Sequence, residues 1–382
     1  MLTGLRVVEV SSFVAAPSCG LTLAQLGADV IRIDPPGGAA DIDRWPLSPE
    51  GRSLYWAGLN RGKSSVVADI RSDDGRELLV GLLGEPRDGG GILVSNVNAP
   101  WLSDEALRAV RPDLINVQVL GGRGGGTGVD YTVNAASGVA LATGNDDGLP
   151  VNHALPAWDL LTGLYAATTV LAAVHRRRET SEGTFATIAL DDVAASVLTT
   201  LGWMPEAHLT GQGRPAIGNA IYGSFALDVV LADGKQVIVV ALTTRQWQDL
   251  SAVTGCERLV KAIATELATD FSDEGNRYEH REILGAAMRP WFAARTLTEV
   301  GEALAKTSVL WSPFRTLRDH ASDLAAGAGA PVVTMHSDDA IGRTLATVGP
   351  VGRPNEEPPD VAAAPTLGQD TERWSSAIRS PR

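Results

Sequence analysis

Cysteine is almost missing from this 382-residue chain: Cys19 and Cys256 are its two copies and lie far apart. Two thiols make neither a disulfide framework nor a thiolate metal site, and the compartment they imply is a reducing cytoplasm. Positive charge is also short. Lys and Arg number 32 against 45 Asp and Glu, a net charge of -13, which excludes a cation-lined nucleic-acid groove while leaving room for a local anion pocket. The opening MLTGLRVVEV has no basic segment leading into a long apolar run, and no stretch reads as a membrane span, so the expectation is a soluble chain without a membrane partner. Familiar cofactor and nucleophile signatures are lacking too. The first turn reads SSFVAAPSCG where a dinucleotide site needs Gly-x-Gly-x-x-Gly, no Gly-x-Ser-x-Gly elbow occurs, and no His/Asp/Glu spacing suits a metal. GLNRGKS (58–64) is one residue short of a phosphate loop and runs into strand-like SVVADI, where a helix should follow.

What is present is a large potential core, 44% of residues being hydrophobic, in a length that suits two domains. Residues Leu5 to Val10 read as a buried strand, Pro17 to Leu26 as a helix stopped by Gly27, and Asp29 to Ile33 as a second strand. Strands at Ser65 to Ile70, Gly91 to Ser95 and Leu114 to Val119 continue the alternation, which implies an α/β fold with a parallel sheet. A long helix is predicted from about Pro156, with Leu160, Leu164, Ala167, Leu171 and Val174 at helical spacing and Arg176 to Arg178 near its end. At residue 225 the texture changes. Phe225 to Leu231, an Asp233-Gly234 turn and Gln236 to Ala241 read as a hairpin opening a smaller α+β domain, and the tail beyond Pro354 is expected to wander over the surface.

Several residues are candidates for chemistry, each with a plain structural reading beside it. Asp159, in PAWD at a helix start, is either an N-cap or a reactive carboxylate. His153 stands close by in sequence as an acid or base. Lys63 is either an exposed turn lysine or a point charge for a phosphate. Cys19 is a core residue or a thiolate. The run GGRGGGTG (121–128) and the glycines around Gly218 could let backbone approach a ligand, or serve only as hinges.

The segments GLRVVEVSSFVAAPSCGLTLAQLGADVIRIDPPGG, SLYWAGLNRGKSSVVADIR, LPAWDLLTGLYAATTVLAAVHRR, LADGKQVIVVAL and PTLGQDTE together resemble the family III CoA-transferases, a group that includes formyl-CoA transferase and α-methylacyl-CoA racemase. The resemblance implies that Asp159 is the catalytic carboxylate, forming a covalent acyl intermediate. It implies CoA contacts at Val14, Ala15, Lys63 and Asn96, with Arg44 a further candidate, and oxyanion or lid roles at Gly218 and Asn219. CoA would enter as part of an acyl-CoA substrate, with no other cofactor. The implied architecture is a Rossmann-like large domain built from residues 1–224 and 331–382, a small α+β domain at 225–330, and two protomers interlocked as a homodimer. Val129 occupies the position where the family's racemases carry a histidine, so two-base proton exchange lacks a partner and transfer is favoured. Within the family, VDYTVN, VNHALPAWD, DIDRWP and LYWAGLNRGK resemble a member that moves CoA from one carboxyl end of a dicarboxylic acid to the other. Transfer to a separate acid, racemisation, and silent acyl-CoA binding are the competing readings.

Overall fold

Val7 and Val8 put an apolar side chain on each face of their strand, and even Glu9 beside them is fully buried, as in a strand covered on both sides. In the computed structural model, which describes residues 1–328, 332–338, 341–347, 349, 351 and 362–379, it is β1 (Arg6–Val10), followed by α1 (Ala15–Gln25) and β2 (Asp29–Asp34). The chain continues through α2 (Leu54–Asn60), β3 (Ser64–Val67), α3 (Asp73–Gly84), β4 (Ile92–Ser95), α4 (Asp104–Val110), β5 (Ile115–Leu120), α5 (Asp130–Ala136) and α6 (Val139–Ala142). The long helix α7 (Ala157–Thr180), β6 (Thr184–Ala189), α8 (Leu190–Thr200) and α9 (Trp203–Thr210) come next. The six strands form one parallel sheet in the order β3-β2-β1-β4-β5-β6. This is the doubly wound order, whose strand sequence reverses beside β1 and leaves a crevice at the carboxyl ends of β1 and β4. The strand at β3 ends at Val67, short of the expected Ile70, because the chain turns at Asp69 and Ser72 to cap α3.

Contacts divide the chain into two compact units. The first comprises Met1–Gly138, Asn152–Gln212 and Ala321–Arg382, the second Val139–Val151 and Gly213–His320. Where the sequence reading opened the smaller domain at 225 and ended it at 330, the second unit takes in Val139–Val151, resumes at Gly213 and stops at His320. Its sheet joins β7 (Phe225–Val230), β8 (Gln236–Ala241) and β9 (Leu310–Pro313), all antiparallel. Gly234, at φ 77°, makes the hairpin turn. Helices α10 (Thr244–Val253), α11 (Glu257–Glu266), α12 (Glu274–Glu279), α13 (Arg281–Ala293) and α14 (Leu297–Leu304) cover that sheet, burying Phe225, Trp247, Leu284, Met288 and Phe292.

After α15 (Leu317–Ala325), β10 (Val333–Asp338) and β11 (Gly342–Thr347) pair as an antiparallel ribbon. The tail corrects one expectation: from residue 362 it docks. Its helix α16 (Thr371–Arg379) buries Trp374 beneath Arg6 and packs on α3 and β3. The Asp370 carboxylate and Thr371 hydroxyl accept the Ser65 and Val67 amides of edge strand β3, so PTLGQDTE closes a sheet edge. Residues 355–361 and 380–382 of the expected surface tail lie outside the described residues. A second correction concerns α7, which has the length and the mean hydropathy, 1.4 over 18 residues, to cross a membrane. It is packed against α1, β5, β6 and α8, as the central helix of the first unit.

Candidate active site

Glu9, Arg32 and Asp34 project from the sheet at neighbouring positions, since Glu9 on β1 pairs in register with Arg32 on β2 and residues i and i+2 share a face. Arg32 holds Asp34 at 2.9 Å and Asp41 at 3.2 Å, with Glu9 at 3.7 Å. Burial works against the Arg32 charge, but Asp34, Glu9 and Asp41 more than reverse it and hold the guanidinium well above its ordinary range. Lys63 joins from the turn after α2. Its ammonium donates to Glu9 at 2.8 Å, to the Pro17 carbonyl and to Asn60, and its side chain has 0% exposure. Gly20 permits this approach, because a Cβ there would stand 1.7 Å from Glu9 Oε2. Lys63 is therefore a buried structural cation, not the phosphate contact expected of it. Burial pulls its pKa down and, next in weight, Glu9 holds it up. Cys19 lies inside the same layer, fully buried, with its thiol pushed far above the ordinary range by burial and then by Glu9. It is not a nucleophile.

The loop between β1 and α1 is anchored twice. Asn96 accepts the Ser12 amide and donates to the Ser12 carbonyl, at 3.1 and 2.8 Å, while Asp41 accepts the Phe13 amide at 3.0 Å. These bonds hold Phe13 at φ 66°, a left-handed conformation that costs a non-glycine residue energy and persists where the surroundings impose it. Asn96 thus spends its carboxamide on shaping the loop. Val14 and Ala15 form the start of α1, which has no side-chain cap and no proton on Pro17, so its first amides and positive dipole end stand open.

These residues edge a cavity of ≈ 670 Å³ in the first unit, together with Arg44, Trp45, Tyr55, the glycines 121, 125, 126 and 128, Val129, Asp130, Tyr131 and Asp159. The glycine run forms wall, since a Cβ at Gly121 would meet the Gly128 carbonyl oxygen at 2.3 Å. Asp159 sits in the first turn of α7. Its carboxyl is pushed up to about 6, chiefly by burial and then by the Asp130 charge, with Arg44 opposing. Burial likewise pushes the Tyr55 phenol up to about 12.

Asp130 is the residue that sequence reasoning missed. It is buried, it accepts the Trp158 and Asp159 amides on one oxygen at 2.7 and 3.2 Å, and its other oxygen pairs with His153 Nε2. Hence α7 is capped from α5, and Asp159 is not an N-cap. GVDYTVN drew notice for Val129, while the adjacent carboxylate lies 29 residues from Asp159 with nothing local to connect them. The amides of Trp158 and Asp159 at the start of α7 are not open to an oxyanion, because both are already bonded to Asp130. Gly218 and Asn219 belong to the second unit. There the Gly218 amide donates to Gly144 and the Asn219 side chain to Asp228, so Gly218 offers no free N–H to an oxyanion.

The doubly wound sheet places Asp159 at a helix start beside its crevice, and the model of CoA-transferase family III matches residues 2–371. The chain belongs to that family. It is 43% identical to 2-methylfumaryl-CoA isomerase from Chloroflexus aurantiacus over 97% of this chain and 92% of that one. It is 30% identical to succinyl-CoA:mesaconate CoA-transferase from Haloarcula hispanica, across 76% and 75% of the two chains. Among solved structures, a CAIB/BAIF family protein from Brucella suis superposes with a TM-score of 0.80 at 25% identity, covering 99% of both chains.

Proposed function

We propose that this enzyme moves CoA within one dicarboxylic acyl-CoA, converting 2-methylfumaryl-CoA into 3-methylfumaryl-CoA, with Asp159 as the covalent nucleophile. The observation that carries this reading is a half-buried carboxylate at the wall of a cavity, in a chain 43% identical over nearly its whole length to an isomerase of that substrate. A pKa of about 6 leaves Asp159 mostly ionised at neutral pH and more basic than an ordinary carboxylate, which suits a nucleophile.

Asp159 attacks the thioester carbonyl. The C–S bond breaks, CoA leaves as a thiolate, and a mixed anhydride joins Asp159 to the acid. The thiolate then attacks the aspartyl carbonyl, the anhydride C–O bond breaks, and the acid is released as a dicarboxylate beside an aspartyl-CoA thioester. When the acid presents its other carboxylate, the same steps run in reverse and return Asp159 unmodified. No proton is gained or lost. Each addition places negative charge on a carbonyl oxygen, and the uncapped amide of Ala15, at the cavity edge, is suited to stabilise it. The working unit in this reading is a cytoplasmic homodimer; Leu160, Leu164 and Tyr165 leave an apolar stripe exposed on α7, as a subunit contact would need.

The test is incubation with 2-methylfumaryl-CoA alone, following both regioisomers by chromatography and mass spectrometry. Conversion without added acid supports intramolecular transfer. Conversion only after a free acid is supplied sinks it in favour of the intermolecular reaction named for the Haloarcula relative.

A further inference from the structure

Among the described residues, one cationic side chain lines the cavity: Arg44. It is exposed at the lip, with its guanidinium 5.6 Å from the Phe13 ring centre and 5.3 Å from that of Tyr55. Its backbone is fixed by the Ser53 hydroxyl, which donates to the Arg44 carbonyl, and Phe13 is fixed through Asp41. Other arginines of this unit spend their charge on carboxylates, Arg32 on Asp34 and Asp41, Arg123 on Asp192. Among the described residues, no carboxylate lies within ion-pair distance of Arg44, yet its charge reaches Asp159 and opposes the rise of that carboxyl's pKa. A planar guanidinium steadied by two aromatic faces retains its forked donors for a carboxylate.

We propose that Arg44 binds the free carboxylate of a dicarboxylic acyl group, the end not joined to sulfur, and so selects dicarboxylic over monocarboxylic acyl-CoA. This deepens the CoA-transfer reading of the same cavity and rests on it. An acid carrying a second negative charge enters a chain of net charge -13, and a local cation offsets that repulsion. The same arginine serves both halves of the reaction. While one carboxyl is bonded to Asp159 or CoA, the other lies on Arg44; when the acid turns end for end, the two exchange places.

The experiment compares 2-methylfumaryl-CoA with tiglyl-CoA, which has the same carbon skeleton and double-bond geometry but a methyl group in place of the distal carboxylate. Binding is measured by calorimetry in an Asp159→Asn background, where the nucleophile is gone, with Arg44 intact and as Arg44→Gln or Arg44→Lys. Arg44 is exposed, so its replacement leaves the core untouched, and circular dichroism checks the fold. The expected result is tighter binding of 2-methylfumaryl-CoA than of tiglyl-CoA, a loss of roughly tenfold to a hundredfold for the diacid thioester alone on Arg44→Gln, and partial retention on Arg44→Lys. An equal loss for both ligands overturns the proposal and assigns Arg44 to the CoA moiety. Equal affinities at the start, no loss on substitution, or binding of neither ligand overturns it as well. Failure of the isomerase reading shows elsewhere, as absent interconversion by the wild-type enzyme, and leaves this affinity ratio unaltered.

Discussion

Two groups of carboxylates, one fully buried and one containing the half-buried Asp159, are treated oppositely. Around Glu9, Asp34 and Asp41, the cations Arg32 and Lys63 are interleaved so that every carboxylate touches a positive charge. Around Asp159, the charge that weighs most is another carboxylate, Asp130, and the opposing cation, Arg44, stands at the cavity lip. The first arrangement makes a silent girder. The second leaves a carboxyl whose charged form is disfavoured and whose basicity is raised, which is what the proposed nucleophile needs and a structural ion network does not offer. Asp41 belongs to the girder yet also bonds the Phe13 amide, so the ion network helps to shape the wall of the cavity that holds Asp159.

The largest effect that would break this comparison is on turnover. Asp159→Asn should lower CoA transfer by roughly 10⁴-fold or more, measured by isomer formation and by mass spectrometry for the aspartyl adduct; an active variant would remove Asp159 from the chemistry. Next comes the girder. Lys63→Met removes the closer of the two cations beside buried Glu9, leaving Arg32 at 3.7 Å, and should cost about 3 kcal/mol in urea unfolding; a near-neutral result would mean that Arg32 alone, or a proton, satisfies Glu9.

The same Asp159→Asn change should do the reverse to stability. A carboxyl whose folded pKa, about 6, lies above its unfolded value near 3.8 binds protons more tightly when folded. Its contribution is present below pH 4 and lost as pH rises through 6. The asparagine variant should therefore match the parent near pH 3.5 and exceed it by about 1 to 3 kcal/mol at pH 7.5. Stability curves that do not diverge between those pH values would show that Asp159 is not perturbed. The smallest effect is expected at Asp130→Asn. Removing that negative charge should shift the acid limb of the kcat/KM profile to lower pH while burial keeps it above an ordinary carboxylate, and an unmoved midpoint would assign the whole shift to burial.

Legibility tracked sequence distance. The strand-helix-strand opening, the hairpin around Gly234 and the helix carrying Asp159 were readable because their hydrophobic periods and turn residues are local. Lys63 was misread because GLNRGKS looks like an exposed turn, while its partner Glu9 is 54 residues away. Asp130 was overlooked for the same reason. Strand β6 and helix α2 were also unmarked: β6 alternates intermediate and exposed positions, and the seven residues of α2 fall short of a helical period that could be recognised.

The sequence by itself determined the α/β class and the family and singled out Asp159 as the candidate carboxylate, because these rest on local periodicity and on motifs that survive as contiguous strings. Only the tertiary structure decided which charges are matched. Asp130 caps the helix of Asp159, Lys63 is consumed by Glu9, and Arg44 is left unspent at the cavity lip. Pairing depends on which side chains meet across the sheet and in what dielectric, and no order of residues along a chain records that distance.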